Sequence, residues 1–504
     1  MTININSSTF TGLKGIMVSI EIDISNGLPS FSIVGLPSTS VKESKERVRS
    51  AIINSGFKFP LKRITINMAP ADLKKEGVLF DLPIALAILL ATNQIVVNNL
   101  DEFLFMGELS LSGDLKKVKG ALPIVVDSIN NKITKFIIPV DNAKECAVIK
   151  NAEIYPFENL NQVIDYLRYG DLMPYSLEDI TYNEKNYEDL SEVSGQESCK
   201  RALEVAAAGG HNILMFGPPG CGKTMIARRI PSILPRLNYK EALDVTKIYS
   251  ISDKLGSEGF ITERPFRNPH HSASITSLVG GGSKLTPGEV TLSHNGVLFL
   301  DEILEFEKKT LDALRQPLED RCIKISKYSG SVDYPANFML VAAMNPCKCG
   351  YYGSNIKECI CNEYERKRYL NKLTRPILDR IDLFINVKGV SYKELNASEG
   401  EKSREIRARV EIARNIQKER FEKESIFCNA EMNESLIKKY CKLSKSDNEF
   451  LEKVYYKYGL SRRSYSRILK VSRSIADLKN KKNIEKEDLI EALNYRKFLD
   501  TKMV

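Results

Sequence analysis

Apolar positions in the first 170 residues change period repeatedly. Ile16-Met-Val-Ser-Ile-Glu-Ile-Asp-Ile24 alternates every second residue and predicts a strand, as does Phe31-Ser-Ile-Val34. From Ser40 to Ser55 the apolar residues Val41, Val48, Ala51 and Ile52 fall at helical spacing. Arg63–Met68 predicts a third strand and Leu82–Thr92 a helix apolar all round, hence buried. A strand–turn–helix over Leu104–Ser128 and a strand over Lys135–Val140 follow, so residues 1–170 predict an α+β domain. Residues 171–189 are polar, acidic and weakly periodic, and predict a linker. An α/β core over 190–395 follows, with short apolar strands ending at Phe216, Leu300 and Met344. From Ser403 the pattern is helical with Lys/Arg-rich faces, predicting an all-helical domain over 396–504. The fold class is multidomain α/β.

Composition narrows this picture. The 504 residues exceed one ordinary core. The longest apolar run, Leu82–Ala91, is about half a membrane span. The N-terminal Met1-Thr-Ile-Asn-Ile-Asn6 lacks a basic region and an apolar signal core, so a cytoplasmic protein without a membrane partner is expected. Ten cysteines in a chain of this size point to metal binding or free thiols rather than bridges. The formal charge of +9 is uneven: residues 401–504 hold 26 Lys+Arg against 17 Asp+Glu, a difference of +9, leaving residues 1–400 neutral overall. Such a surplus suits phosphates, from ATP or a nucleic-acid backbone, or equally a solvated helical surface.

The chemistry begins at Gly217-Pro218-Pro219-Gly220-Cys221-Gly222-Lys223-Thr224, a full G-x-x-x-x-G-K-[ST] run between the apolar strand His211–Phe216 and the helical stretch Met225–Ile230. The glycines let backbone N–H groups turn onto phosphates, and the helix N-terminus adds its positive dipole end. Lys223 is expected to meet the β- and γ-phosphates of ATP, and Thr224 to hold Mg²⁺. Gly296-Val-Leu-Phe-Leu-Asp301-Glu302 ends an apolar strand in two carboxylates, Asp301 for Mg²⁺ and Glu302 for the attacking water. Phe338–Asn345 ends a further strand in an amide able to align that water.

Several segments resemble the magnesium-chelatase-like AAA+ family, in its ComM/YifB group, over nearly the full length. They include Asp189-Leu-Ser-Glu-Val-Ser-Gly-Gln196, Arg264-Pro-Phe-Arg-Asn-Pro-His-His271, Leu278-Val-Gly-Gly-Gly-Ser283, Asn345-Pro-Cys-Lys-Cys-Gly350, Leu378-Asp-Arg-Ile-Asp-Leu383 and Arg467–Leu478. The resemblance implies an AAA+ core with a parallel sheet covered on both sides, a helical lid, and a homo-oligomeric ring, a hexamer, with ATP sites between subunits. It implies an arginine finger at Arg380, where the alternatives are an Arg380 paired with Asp379 or Asp382, or Arg375 as a rival finger in place of the family's usual glycine. It implies a second sensor arginine in Ser461–Tyr465, at Arg463, with Arg467 and Arg473 as alternatives. His270 and His271 fall in the family's insertion and read as pore-side or interface residues, beside a flexible Gly280–Gly282 pore loop.

Cys347-x-Cys349 and Cys359-x-Cys361, nine residues apart within an insertion over 346–362, have the makings of a structural four-thiolate Zn²⁺ site; four unconnected thiols are the alternative. The first domain resembles the Lon-protease-like fold. Its Ser position falls in Glu76-Gly-Val-Leu-Phe-Asp81 without a Ser, and its Lys position near Gly120-Ala-Leu-Pro123, with Lys119 out of register, so a non-proteolytic domain is expected. The resemblance implies an ATP-driven DNA motor for branch migration in recombination or transformation, with branched or single-stranded DNA as partner. The alternative is a chelatase-type or protein-complex-remodelling ATPase.

Overall fold

The computed structural model describes residues 3–496, apart from 76, 98, 171, 177–186, 257, 283–284, 328–329, 354–356 and 390–399. Glu76, Ser283 and most of the expected linker therefore lie outside the described residues. Two compact units emerge, Met1–Asn183 with Asn238–Thr262, and Glu184–Leu237 with Glu263–Val504.

The first unit opens with β1 (Ile3–Thr11), β2 (Lys14–Ser25) and β3 (Ser30–Val34), then α1 (Thr39–Asn54), β4 (Arg63–Ala69) and α2 (Asp81–Ala91). The strand order is β1-β2-β4-β3, with β3 parallel to β4 and the other pairs antiparallel. Strands β5 (Phe103–Phe105), β6 (Lys135–Pro139) and β7 (Glu153–Phe157) form a parallel sheet joined through α3 (Ala121–Asn130) and closed by α4 (Leu160–Tyr169). The first two strands expected and the fully apolar helix are found within two residues of their predicted limits. Helix α2 is buried from Asp81 to Leu90, as its lack of a polar face requires.

β1 was not anticipated. Its Ser7, Ser8 and Thr9 are buried, and the Ser7 and Ser8 hydroxyls donate to the carbonyls of Phe105 (3.0 Å) and Ile16 (2.8 Å). Satisfied hydroxyls behave as small core residues, so the alternation of Ile3 and Ile5 breaks off at Ser7 and the strand is not readable as one.

Helix Tyr239–Ile251 falls between two parts of the ATPase sequence yet belongs to this first unit. A capping box at Asn238 and Glu241 starts it, and Ala242, Val245, Ile248 and Ile251 turn inward. The Tyr239 hydroxyl donates to the Val148 carbonyl (3.0 Å), and Gly120 N–H donates to the Ser250 carbonyl (3.3 Å).

The second unit contains α5 (Glu197–Gly209), β8 (Ile213–Phe216), α6 (Lys223–Ile233), β9 (Phe266–Arg267), β10 (Val297–Leu300), α7 (Arg315–Asp320), β11 (Met339–Met344), α8 (Glu363–Leu370), α9 (Arg375–Leu378) and β12 (Leu383–Asn386). The sheet is wholly parallel, ordered β9-β10-β11-β8-β12. Its three central strands, β10, β11 and β8, are buried on both faces, which is why they read as continuous apolar runs. Helices α10 (Ser403–Arg420), α11 (Glu434–Tyr440), α12 (Lys445–Tyr458), α13 (Arg462–Leu478) and α14 (Lys486–Asn494) form the expected helical region and share a core with the sheet.

Candidate nucleotide and metal site

Parallel pairing sets the register of the site. Phe216 stands opposite Met344, and Leu300 opposite Ala342, so Gly217, Asp301 and Asn345 leave the same edge of the sheet. The phosphate loop follows β8. A Cβ at Gly217 would lie 2.1 Å from the Val387 carbonyl oxygen, so no larger residue fits there. Gly220 and Gly222 have φ of 76° and 88°, a left-handed backbone natural to glycine, and Gly222 caps α6.

Lys223 is almost wholly buried, and its Nζ donates to the carbonyls of Gly217 (2.8 Å) and Pro218 (2.9 Å) and to Asn345 Oδ1 (3.2 Å). Burial, opposed by nearby Cys221, Asp301 and Glu302, holds its pKa below the usual lysine value. The ammonium is thus held by neutral dipoles beside a cradle shaped for anions. The Thr224 hydroxyl donates to Asp301 Oδ2 (2.6 Å), placing two hard oxygens side by side, the donor set that suits Mg²⁺. Glu302 takes a left-handed φ of 49°, unusual for its type, at the strand end. His271 Nδ1 lies 3.9 Å from Glu302 Oε2, and the two histidine rings are 4.1 Å apart. His271 thus flanks the carboxylate that β10 presents. Sequence distance hid this, since 31 positions separate the pair.

The predicted arginines separate by environment. Arg380 donates to the Pro376 carbonyl (2.7 Å) and pairs with Glu319 of α7, so neither Asp379 nor Asp382 is its partner. Arg375 is exposed at the start of α9. Arg463, exposed in the first turn of α13, reaches Asp379 Oδ2 at 3.3 Å. Arg467 pairs with Asp382, whose Oδ2 also lies 3.4 Å from His211 Nδ1 and accepts from Asn212 N–H (3.1 Å). Burial acts to raise the Asp382 pKa, but Arg467 and His211 pull it well below the carboxylate range. Arg473 is buried, its guanidinium spent on Asp477 and on the Lys481 and Lys482 carbonyls, which removes it as a nucleotide sensor.

The two C-x-C pairs converge. All four sulfurs lie within 4.8 Å of one another, with Cys347 Sγ 3.3 Å from Cys349 Sγ and both 3.6 Å from Cys359 Sγ; Cys349 N–H donates to Cys361 Sγ (3.4 Å). A tetrahedral Zn²⁺ with bonds of about 2.3 Å sets sulfurs about 3.8 Å apart, so the cluster fits one such ion. Four unconnected thiols are not what the chain builds. In the first unit, Lys119 is exposed and pairs with Asp253 (3.2 Å), while Asp81 is buried against Arg47 (2.7 Å).

A five-stranded parallel sheet with this loop, this carboxylate pair and a helical lid defines a P-loop ATPase-type fold. The chain belongs to the magnesium-chelatase-like AAA+ family, in its ComM/YifB group. Residues 189–395 match the model of magnesium chelatase subunit ChlI, 20–142 that of subunit ChlI of Mg-chelatase, and 400–496 that of the ChlI C-terminal region. The chain is 45% identical to competence protein ComM of Haemophilus influenzae over 96% of its length and 95% of the relative's. It is 44% identical to protein YifB of Escherichia coli, again over 96% and 95%. A partial likeness, 27% over 26% of this chain and 25% of the relative, joins it to Lon protease 2 of Bacillus subtilis. Among the described residues, no helix is long and apolar enough to cross a membrane.

Proposed function

We propose that the chain is a ring-forming ATPase that hydrolyses Mg²⁺-bound ATP and couples turnover to movement on DNA. The observation that carries the ATPase reading is the meeting of Thr224 with Asp301 at 2.6 Å beside the Lys223–Asn345 contact of 3.2 Å. Residues 217–224 hold the phosphates, Thr224 and Asp301 hold Mg²⁺, Glu302 takes the proton of the attacking water and Asn345 aligns it. Mg²⁺ supplies charge neutralisation on the phosphates. Arg380 serves a neighbouring subunit's nucleotide, and Arg463 senses it from the lid. One structural Zn²⁺ is held by Cys347, Cys349, Cys359 and Cys361.

Two facts support DNA as the substrate: the positive surplus of residues 401–504, and the likeness to a relative named as a competence protein. Pairing within the fold offsets part of that surplus, since Arg409, Arg420, Arg462 and Arg467 all have carboxylate partners. The chelatase descriptions of all three matching family models favour a second reading, remodelling of a protein or metallo-complex. The deciding experiment measures ATPase turnover of the assembled protein with branched, single-stranded and duplex DNA at two salt concentrations. Branched or single-stranded DNA is expected to stimulate most, with binding that weakens steeply in salt as counterions are released. An assembled, active ATPase indifferent to every DNA form refutes the DNA reading in favour of remodelling.

A further inference from the structure

The four-cysteine loop is physically joined to the phosphate site in two ways. Along the chain, Asn345 accepts from Lys223 Nζ at 3.2 Å, and the buried Cys347 follows after Pro346 alone. Across space, Gly350 N–H donates to the Cys347 carbonyl (3.0 Å) in a turn that gives Gly350 a φ of +86°. A Cβ built at Gly350 would lie 2.6 Å from Pro219 Cδ, so the turn rests directly on the phosphate loop. A tetrahedral ion on the four sulfurs would fix the Cys347–Gly350 turn, and with it the approach of Pro219 and the direction of Asn345.

We propose that the four-thiolate knuckle is a positioning element of the nucleotide site, and that occupancy of the metal and nucleotide sites is therefore linked. Pro219 and Gly350 form the contact through which each site biases the other. This rests on the ATP and zinc readings given above. Linkage of binding free energies is reciprocal: a knuckle that orders the phosphate loop is itself ordered by nucleotide.

The test reads the metal directly. Zinc-loaded full-length protein is titrated to equilibrium with a chromophoric chelator, and zinc affinity is measured with and without a saturating non-hydrolysable ATP analogue and Mg²⁺. Nucleotide affinity is measured separately with a fluorescent analogue. Bound nucleotide is expected to tighten zinc binding about fivefold or more, the lower end of ordinary site-to-site coupling. Lys223→Ala is expected to abolish the tightening by removing nucleotide affinity. Pro219→Ala and Gly350→Ala keep all four ligands, so both are expected to retain one zinc per chain; the first loosens the contact and the second forces it apart. Both should lose most of the tightening even when saturated with nucleotide, and bind nucleotide more weakly. Pro219→Ala keeps the test open if the left-handed turn at Gly350 does not tolerate alanine. Equal zinc affinities with and without nucleotide, in wild-type protein that binds both, overturn the linkage alone. Protein that binds no zinc, or no nucleotide, overturns it together with the reading on which it rests.

Discussion

At the scale of single residues, the proposed ground-state and transition-state roles fall to different side chains. Lys223 is the cation nearest the phosphate cradle, whereas Glu302 stands at the strand end beyond Asp301. Lys223→Ala is expected to abolish nucleotide binding. Glu302→Gln is expected to keep binding and lower turnover about 10²- to 10⁴-fold, the usual contribution of a general base. Fluorescent-nucleotide titration beside phosphate release checks both; parent turnover in Glu302→Gln moves the base elsewhere. A second residue sets a pH limit on stability. His294 is buried, and its Nδ1 accepts the Asn337 N–H (3.1 Å), which only the neutral ring allows. Burial, with Arg264 nearby, lowers its pKa from 6.5 to about 4. A depressed folded pKa means that the unfolded chain takes up the proton first as pH falls. The stabilisation is therefore intact above about pH 6.5 and lost progressively down to about pH 4, on the order of 3 kcal/mol in all. Denaturant midpoints at pH 7.5 and 5 are expected to differ less in His294→Asn, whose amide oxygen can accept the same N–H without titrating. An unchanged pH dependence in that variant assigns the acid sensitivity to other groups.

At the scale of elements, helix α13 carries two arginines with opposite duties. Arg467 neutralises Asp382, which also meets His211 and the Asn212 N–H where β8 begins. Removing one partner of a buried pair strands the other charge, so Arg467→Ala is expected to cost about 3–5 kcal/mol of stability. Arg463 is exposed and one helical turn earlier, so Arg463→Ala is expected to leave the unfolding midpoint within about 0.5 kcal/mol while lowering ATP turnover. Chemical denaturation together with steady-state ATPase assays separates the two; equal destabilisation by both variants gives Arg463 a structural role. The sequence left Arg463, Arg467 and Arg473 of this helix open because 3.6-residue periodicity reports a face, not the partner waiting there. Strand ends were readable for the opposite reason. A wholly buried strand of a parallel sheet reads as an apolar run, so the end of that run at Phe216, Leu300 or Met344 marks the sheet edge. β1 escaped because its buried Ser7 and Ser8 look like surface residues until the carbonyls that satisfy them are known. Helix Tyr239–Ile251 escaped differently. Its amphipathic pattern was legible, but which unit receives its apolar face depends on contacts remote in sequence.

At the scale of the whole molecule, the proposed hydrolytic groups of one chain, Lys223, Thr224, Asp301, Glu302 and Asn345, gather without the proposed finger. Arg380 is occupied by Glu319 and the Pro376 carbonyl, and neither belongs to the nucleotide cradle. Its guanidinium is well placed to change partners if a neighbour's phosphates replace the exposed Glu319 carboxylate, since a charge-assisted surface pair is worth little in water. Such an exchange predicts complementation between defective subunits. Arg380→Ala keeps its own phosphate loop and lacks the finger; Lys223→Ala keeps the finger and lacks the loop. Each alone is expected to hydrolyse ATP poorly. In mixed rings assembled at equal amounts, about a quarter of the interfaces pair an intact loop with an intact finger, because each partner is drawn independently from two variants. Turnover is expected to rise toward that fraction of the parent value, and subunit exchange followed by fluorescence transfer verifies that the rings are mixed. Silent mixed rings argue that Arg380 acts within its own chain, where its pairing with Glu319 is then a structural tie between α7 and the turn after α9.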